Sequence, residues 1–366
     1  MIKQATVLET CNKIIFQIIN RIFENPSEMN GFIQLIANIP FLELDNLLLL
    51  YAQKPDAKIL AGYGAWHDIG RTVNPHQMPI ILRKISIVQN QAPTPKYINN
   101  QPTFDENGNF QYEDYGKYDV NFEAVYVFDL SQTSGSSLNI DYFTHNDINF
   151  YKVFTENTQS SIRIDENNLY LNTHEKSKYV PEENILYISK DLSDYEREKE
   201  YLAQLVYVTM QQYIVDEPTN VGMFMTQCVN WIIKKIYGYT TPNDKFFFHI
   251  DFDSSMYFYI MRHILYYTNT IIESIDGATY LSFNETAVLN YLYNKFPQSK
   301  KDVYFHRICT ACEKSSNDPE CQNILNRLNS KLDTTTIKSQ RNIYRLREAK
   351  KLFSFPPVKL YKELNV

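Results

Sequence analysis

The densest set of potential metal ligands in the chain is His306-x-x-Cys309-x-x-Cys312, with Cys321 following after eight intervening residues. Cys-x-x-Cys is half of a zinc knuckle, because two thiolates at that spacing can turn toward one tetrahedral ion. The second half is incomplete, and the Ser-Ser-Asn-Asp-Pro stretch before Cys321 reads as an ordinary turn. Buried or unligated thiols are therefore the favoured reading, with zinc as the alternative. A second group is cationic and aromatic: Lys54, Lys58, Trp66, Arg71, Arg83 and Lys84. Such cations neutralise phosphates, and an indole face can stack on an unpaired base. The competing reading places Trp66 in a core and Gly70-Arg71 in a structural turn. A third group, Asp129-Leu130-Ser131-Gln132-Thr133, follows a strand-like run, where such side chains usually satisfy their own turn.

Enzyme chemistry is not announced. None of the seven His forms a His-x-x-x-His pair, and no complete triad, Gly-rich phosphate loop or diagnostic carboxylate pair is present. Net charge is −6, but it is uneven. From Lys331 onward nine cations face three acids, a tail of +6 that leaves −12 on the rest. The stretch Lys338 to Lys351 suits nucleic-acid contact, or else a solvated helix face pinned by Ile343, Leu346 and Phe353. The 28 Tyr and 22 Phe are spread along the whole chain, which favours compositional bias over a dedicated stacking surface. Five Cys, sparse and odd in number, fit a reducing cytoplasm. The expectation is a cytoplasmic protein. Met1-Ile-Lys-Gln-Ala-Thr6 lacks a leader pattern, and Leu47 to Leu50 is far too short to span a membrane.

The elements that must position these residues follow from periodicity. Val7, Leu8, Cys11, Ile14, Ile15, Ile18, Ile19, Ile22 and Phe23 mark one helical face, ended by Asn25-Pro26. Ser27 is placed to cap a second helix over 28–39, and a third covers 42–52. Pro79 to Ile85 and Ala124 to Leu130 read as strands, with 90–118 between them a long loop or hairpin excursion turning at Asn107-Gly108. Asn168 to Leu171 and Asn184 to Ile188 also read as strands. Ser193-Asp194-Tyr195-Glu196 has the form of a capping box. A helical pattern follows from Ser193, with Tyr201, Leu202, Leu205 and Val208 on one face, then helices over 221–237 (ended by Gly238) and 255–275, with further pieces at 285–296 and 342–353.

Two ordered stretches carry a family pattern. The first runs from Asn46 through Gln53-Lys54-Pro55-Asp56-Ala57, Gly62-Tyr63 and Trp66 to Ile69-Gly70-Arg71 and Val73. The second is Val125 to Gly135, with Phe128-Asp129-Leu130-Ser131-Gln132-Thr133 at its centre. Together they resemble the N-terminal domain of ArdC-like antirestriction proteins. Where relatives carry a Lys-Gly-Glu-Lys-like turn, this chain has Asn74-Pro75-His76-Gln77-Met78. The resemblance implies a second half built like a zincin metallopeptidase, with His-Glu-x-x-His on one helix and a further Glu on the next. By that correspondence the motif positions fall on Ala203, Gln204, Tyr207 and Gln227. Ala has no donor, Gln cannot act as a carboxylate base, and residues 193–213 contain no His.

The expected architecture is α+β: an N-terminal DNA-binding unit over 1–135, a zincin-like pseudo-peptidase over 139–277, and a helical basic extension over 278–366. The function implied by the resemblance is non-catalytic coating of single-stranded DNA for a mobile element, protecting incoming DNA from nucleases without a cofactor or a membrane. The alternative is a scaffold whose inactive cleft holds a host or element protein.

Overall fold

The computed structural model describes residues 4–104, 110–114, 116–135, 148–166, 169–172, 174–240, 252–276, 279–295, 301–315, 318–334 and 358–360. It is a mixed α+β chain. Helices α1 (Gln4–Glu24), α2 (Pro26–Asn38) and α3 (Leu44–Gln53) come first. On α1 the buried side chains are Cys11, Ile15, Ile18, Ile19 and Ile22, the stripe that periodicity predicts. The cap of α2 is Asn25 rather than Ser27: Asn25 Oδ1 accepts the Ser27 N–H, and Pro26 opens the helix, where its missing N–H costs nothing. Leu47, Leu48, Leu49 and Leu50 of α3 are all buried, and four consecutive positions sweep most of a helix's circumference.

Short β1 (Leu60–Ala61), α4 (Tyr63–Asp68) and β2 (Arg71–Val73) lead into β3 (Ile80–Gln91). The excursion beyond it is a set of small hairpins: β4 (Thr94–Pro95), β5 (Tyr97–Ile98), β6 (Gln101–Pro102) and β7 (Tyr112–Asp114). Asn107-Gly108 lies outside the described residues. The chain returns as β8 (Lys117–Asp129), a single 3-10 turn at Leu130–Gln132, and β9 (Thr133–Gly135). Both long strands outrun the sequence expectation, because they pair with each other antiparallel from Ile80↔Val127 to Gln91↔Lys117. The sheet order is β1-β8-β3, and β2 pairs β9 separately.

This ribbon is used on both faces. Near its base, Ile80, Leu82 and Val127 point into the main core with the N-terminal helices. Farther out, Ile85, Ile87, Tyr118 and Val120 point the other way, into a second core. The change of parity between Leu82 and Ile85 is what puts the two cores on opposite faces.

The second half begins with α5 (Phe150–Thr158) and a sheet of β10 (Ser161–Asp165), β11 (Ser177–Val180) and β12 (Ile185–Ser189), ordered β10-β12-β11. Leu169 to Leu171 form no strand. Their three N–H groups instead donate to the Asp165 carboxylate. Then come α6 (Asp194–Tyr213), α7 (Thr219–Ile236) and α8 (Tyr257–Asp276). Ser193 and Glu196 form the expected capping box of α6. Strand β13 (Thr279–Leu281), helices α9 (Phe283–Lys295), α10 (Lys301–Ser315) and α11 (Pro319–Thr334), and β14 (Val358–Leu360) complete the order, with β14 paired to β13. The main core draws on residues from Cys11 to Phe283, so side chains from both halves share it. The expected helix 342–353, the basic stretch 338–351, Ser136-Ser137 and Gly277 lie outside the described residues. No helix among the described residues is long and apolar enough to cross a membrane.

Candidate functional site

The two sequence signatures meet in space. Asp129 ends β8, and its carboxylate accepts the N–H groups of Lys58 (2.7 Å), Ile59 (3.1 Å) and Ser131 (2.9 Å). Gln132 returns to the Asp129 N–H with its carbonyl and donates to the Met78 carbonyl. Trp66 Nε1 donates to the Phe128 carbonyl at 3.0 Å. Arg71 donates through Nε to Thr133 Oγ1 and through Nη2 to the Thr133 carbonyl. Glycine is required where the signatures touch: Gly135 has φ +134°, and a Cβ there would lie 2.4 Å from the Gly70 carbonyl oxygen.

Signature amides also close the outer edge of β3, which has no strand beside it among the described residues. Gln53 accepts the Ile81 N–H and donates to its carbonyl. Asn46, seven residues earlier on the same face of α3, does the same for Arg83. Asn284 of α9 continues the row by accepting the Ile85 N–H. Side-chain amides thus stand in for a neighbouring strand and blunt an edge that could pair with another chain.

This closure accounts for much of the predicted DNA surface in structural terms. Trp66 is fully buried with Ile59 and Ala61 and shows no face on which a base could stack. Arg71 is buried at the junction, 6.0 Å from the Trp66 ring. Arg83 is buried, ion-paired to Asp45 at 2.8 Å and to Asp318, and sits over the Phe122 ring. Lys84 pairs with Glu123 at 2.9 Å and Lys54 with Asp56 at 2.6 Å, both nearer the surface. Lys58 is exposed. The residue that sequence reasoning passed over is Tyr63. It is the aromatic of the Gly62-Tyr63 signature and the first residue of α4, and it is 61% exposed. Spacing gave no signal: residues three apart on a helix share a face, yet Trp66 is buried while Tyr63, the first residue of α4, is exposed.

The positions that the sequence resemblance aligns with a metal motif lie on α6 and α7. Gln204 donates to Ser177 Oγ of β11 at 2.9 Å, and Ser177 donates to Glu200 at 2.5 Å. Tyr207 and Gln227 are exposed and Ala203 is half-buried. These residues do not fit a divalent ion. The set offers no carboxylate or imidazole at the motif positions, and the Gln204 amide is committed to the serine. Among the described residues no three His, Cys, Asp or Glu side chains gather as metal ligands. The same region has polar atoms without partners: Gln204 Oε1, Asn230 Oδ1 and Trp231 Nε1 are buried and unbonded. Lys234, one turn beyond Asn230, is held below the usual lysine range by burial, with nearby Glu200 acting against the shift.

The three thiols of the motif share the second core while its histidine faces outward. Cys312 and Cys321 sit in the second core, His306 is exposed, and burial pushes the Cys309 thiol up to about 12. A thiol that resists ionisation is a poor metal ligand. The remaining polar cluster joins the two cores: Glu285 is buried against Lys331 (2.8 Å) and Arg327 (3.4 Å), and Glu320 is gripped by Arg262 (3.1 Å) and Arg327 (3.4 Å).

No known protein family and no curated protein matches this chain. Solved structures that are similar to it include the antirestriction ArdC protein from plasmid R388. The metal-free form is 11% identical, covers 64% of this chain and 85% of its own, and has a TM-score of 0.32. The Mn(II)-bound form is also 11% identical, covers 67% of this chain and 96% of its own, and has a TM-score of 0.35.

Proposed function

We propose that this chain is a non-catalytic, antirestriction-type protein that binds single-stranded DNA on the outer surface of its N-terminal unit, over 1–135. The observation that carries the reading is the mutual closure of the two signatures around Asp129. Residues that resemble the ArdC-like pattern in order also meet in space, and their meeting leaves Tyr63 and Lys58 outward. Tyr63 supplies the stacking face and Lys58 a phosphate contact, with Lys84 and Lys54 as weaker contributors because each already has an acidic partner. The mechanism is occlusion of the strand, with no bond broken and no cofactor needed.

The test is fluorescence polarisation of a labelled single strand of about 30 nucleotides, room for more than one site, against its duplex at low and moderate salt. The expected result is preference for the single strand, steep weakening with salt, and an approximately tenfold loss with Tyr63→Ala. Trp66→Phe should act through stability alone. Absence of binding to either form at micromolar protein would overturn the reading.

A second reading is favoured by one observation. Strand β11, packed against α6, is an edge of its sheet among the described residues. A peptide segment from a host or element protein, added along β11, would pair with the backbone N–H and C=O groups of that edge. Failure of the DNA experiment with retention of a protein partner would select it.

A further inference from the structure

Neither reading uses the face where α8 meets the end of α6. Tyr259, His263, Tyr266 and Tyr267 are spaced so that they share one face of α8. Tyr213 joins them from the last turn of α6. It stacks on Tyr267 with ring centroids 5.1 Å apart and meets Tyr266 edge-on at 6.3 Å. His263 lies 4.0 Å from the Tyr259 ring and 5.7 Å from that of Tyr267. Tyr267 is buried, but Tyr213, Tyr259 and Tyr266 are 39%, 41% and 53% exposed.

Glu217, between α6 and α7, accepts a hydrogen bond from the Tyr259 hydroxyl, and its charge acts on both Tyr259 and Tyr267. Asp216 beside it is exposed. No ion pair to Glu217 or Asp216 occurs among the described residues. Arg262, on the adjacent stripe of α8, is committed to Glu320 at 3.1 Å.

The chemistry of this face selects its ligand. Aromatic faces carry negative potential, and a carboxylate stands at their margin, so an anion is repelled by both. A neutral apolar ligand would strip water from Glu217 and give nothing back. A cation satisfies rings and carboxylate together, and a planar guanidinium does so best, stacking on a ring while its N–H fork meets the carboxylate. We infer that this face binds an arginine side chain in a basic polypeptide segment of a partner protein. The inference is independent of the DNA reading.

The test is fluorescence anisotropy of a labelled tetra-arginine peptide with the full chain, alongside a tetra-lysine peptide. Tyr266→Leu and Glu217→Gln, both near the surface, should each weaken tetra-arginine binding by about fivefold, the size of an exposed cation–π contact. Tyr266→Phe, which keeps the ring, should retain affinity, and so should Asp68→Asn, an acid elsewhere on the surface. Tetra-lysine should bind several-fold more weakly. Equal affinity of wild type, Tyr266→Leu and Glu217→Gln would assign binding to general charge and overturn the inference. Equal affinity for both peptides, or no binding of tetra-arginine, would also overturn it.

Discussion

Asp129 is the residue on which the junction of the two signature stretches turns. A single buried carboxylate accepts three backbone N–H groups, two of them from a segment about 70 residues earlier in the chain. Hydrogen bonds to a charged acceptor are worth more than neutral ones, and unpaired buried N–H groups are costly. Asp129→Ala should therefore destabilise the protein by on the order of 3 kcal/mol, read as a lowered urea midpoint with an unchanged slope. An equal midpoint would mean that the Lys58 and Ile59 amides find other partners. Tyr63 makes the contrasting case. It is exposed, so Tyr63→Ala should alter binding and leave the midpoint alone.

At the scale of elements, the junction of β2 and β9 depends on close backbone approach. Gly135 adopts a conformation that L side chains avoid, with the Gly70 carbonyl in the space a Cβ would need. Gly135→Ala should cost about 2 kcal/mol or more, combining strain with overpacking, and should raise hydrogen exchange at Arg71 to Val73 before other strands. Uniform exchange across β2, β3 and β8 would argue against a local role. The ribbon of β3 and β8 works differently. Its edge is closed by Asn46, Gln53 and Asn284, so its integrity draws on helices from opposite ends of the sequence.

Across the whole molecule, charge couples the two cores. Asp45 of α3 is raised from 3.8 to about 6 by burial, reinforced by Glu320 and opposed by Arg83 and Arg262, with Asp318 adding to the rise. The folded chain thus holds a proton that the unfolded chain has lost between these values. That contribution to stability is fully present below about 4 and is lost as pH rises through about 6. A shift of this size corresponds to about 3 kcal/mol. The stability difference between wild type and Asp45→Asn should change by roughly that amount between about pH 4 and 7, in favour of the asparagine variant as pH rises. A pH-independent difference, measured by urea unfolding, would remove Asp45 from the account.

The sequence by itself determined several of the helices and the atom types available at the aligned motif positions. Apolar periodicity fixes the buried stripe of α1, and Ser193 and Glu196 fix the start of α6, because these signals act within a few residues. The mismatch of Ala203, Gln204, Tyr207 and Gln227 to a metal site is likewise a matter of atom types and needs no coordinates. Tertiary structure alone decided what the signature residues are for. Trp66, Arg71 and Arg83 have the composition of a nucleic-acid surface, yet their partners Phe128, Thr133, Asp45 and Asp318 lie far along the chain. Burial and pairing are properties of those distant neighbours. The same holds for the two-sided ribbon: a shift of parity between Leu82 and Ile85 is invisible as a pattern until helices arrive on opposite faces to cover each half.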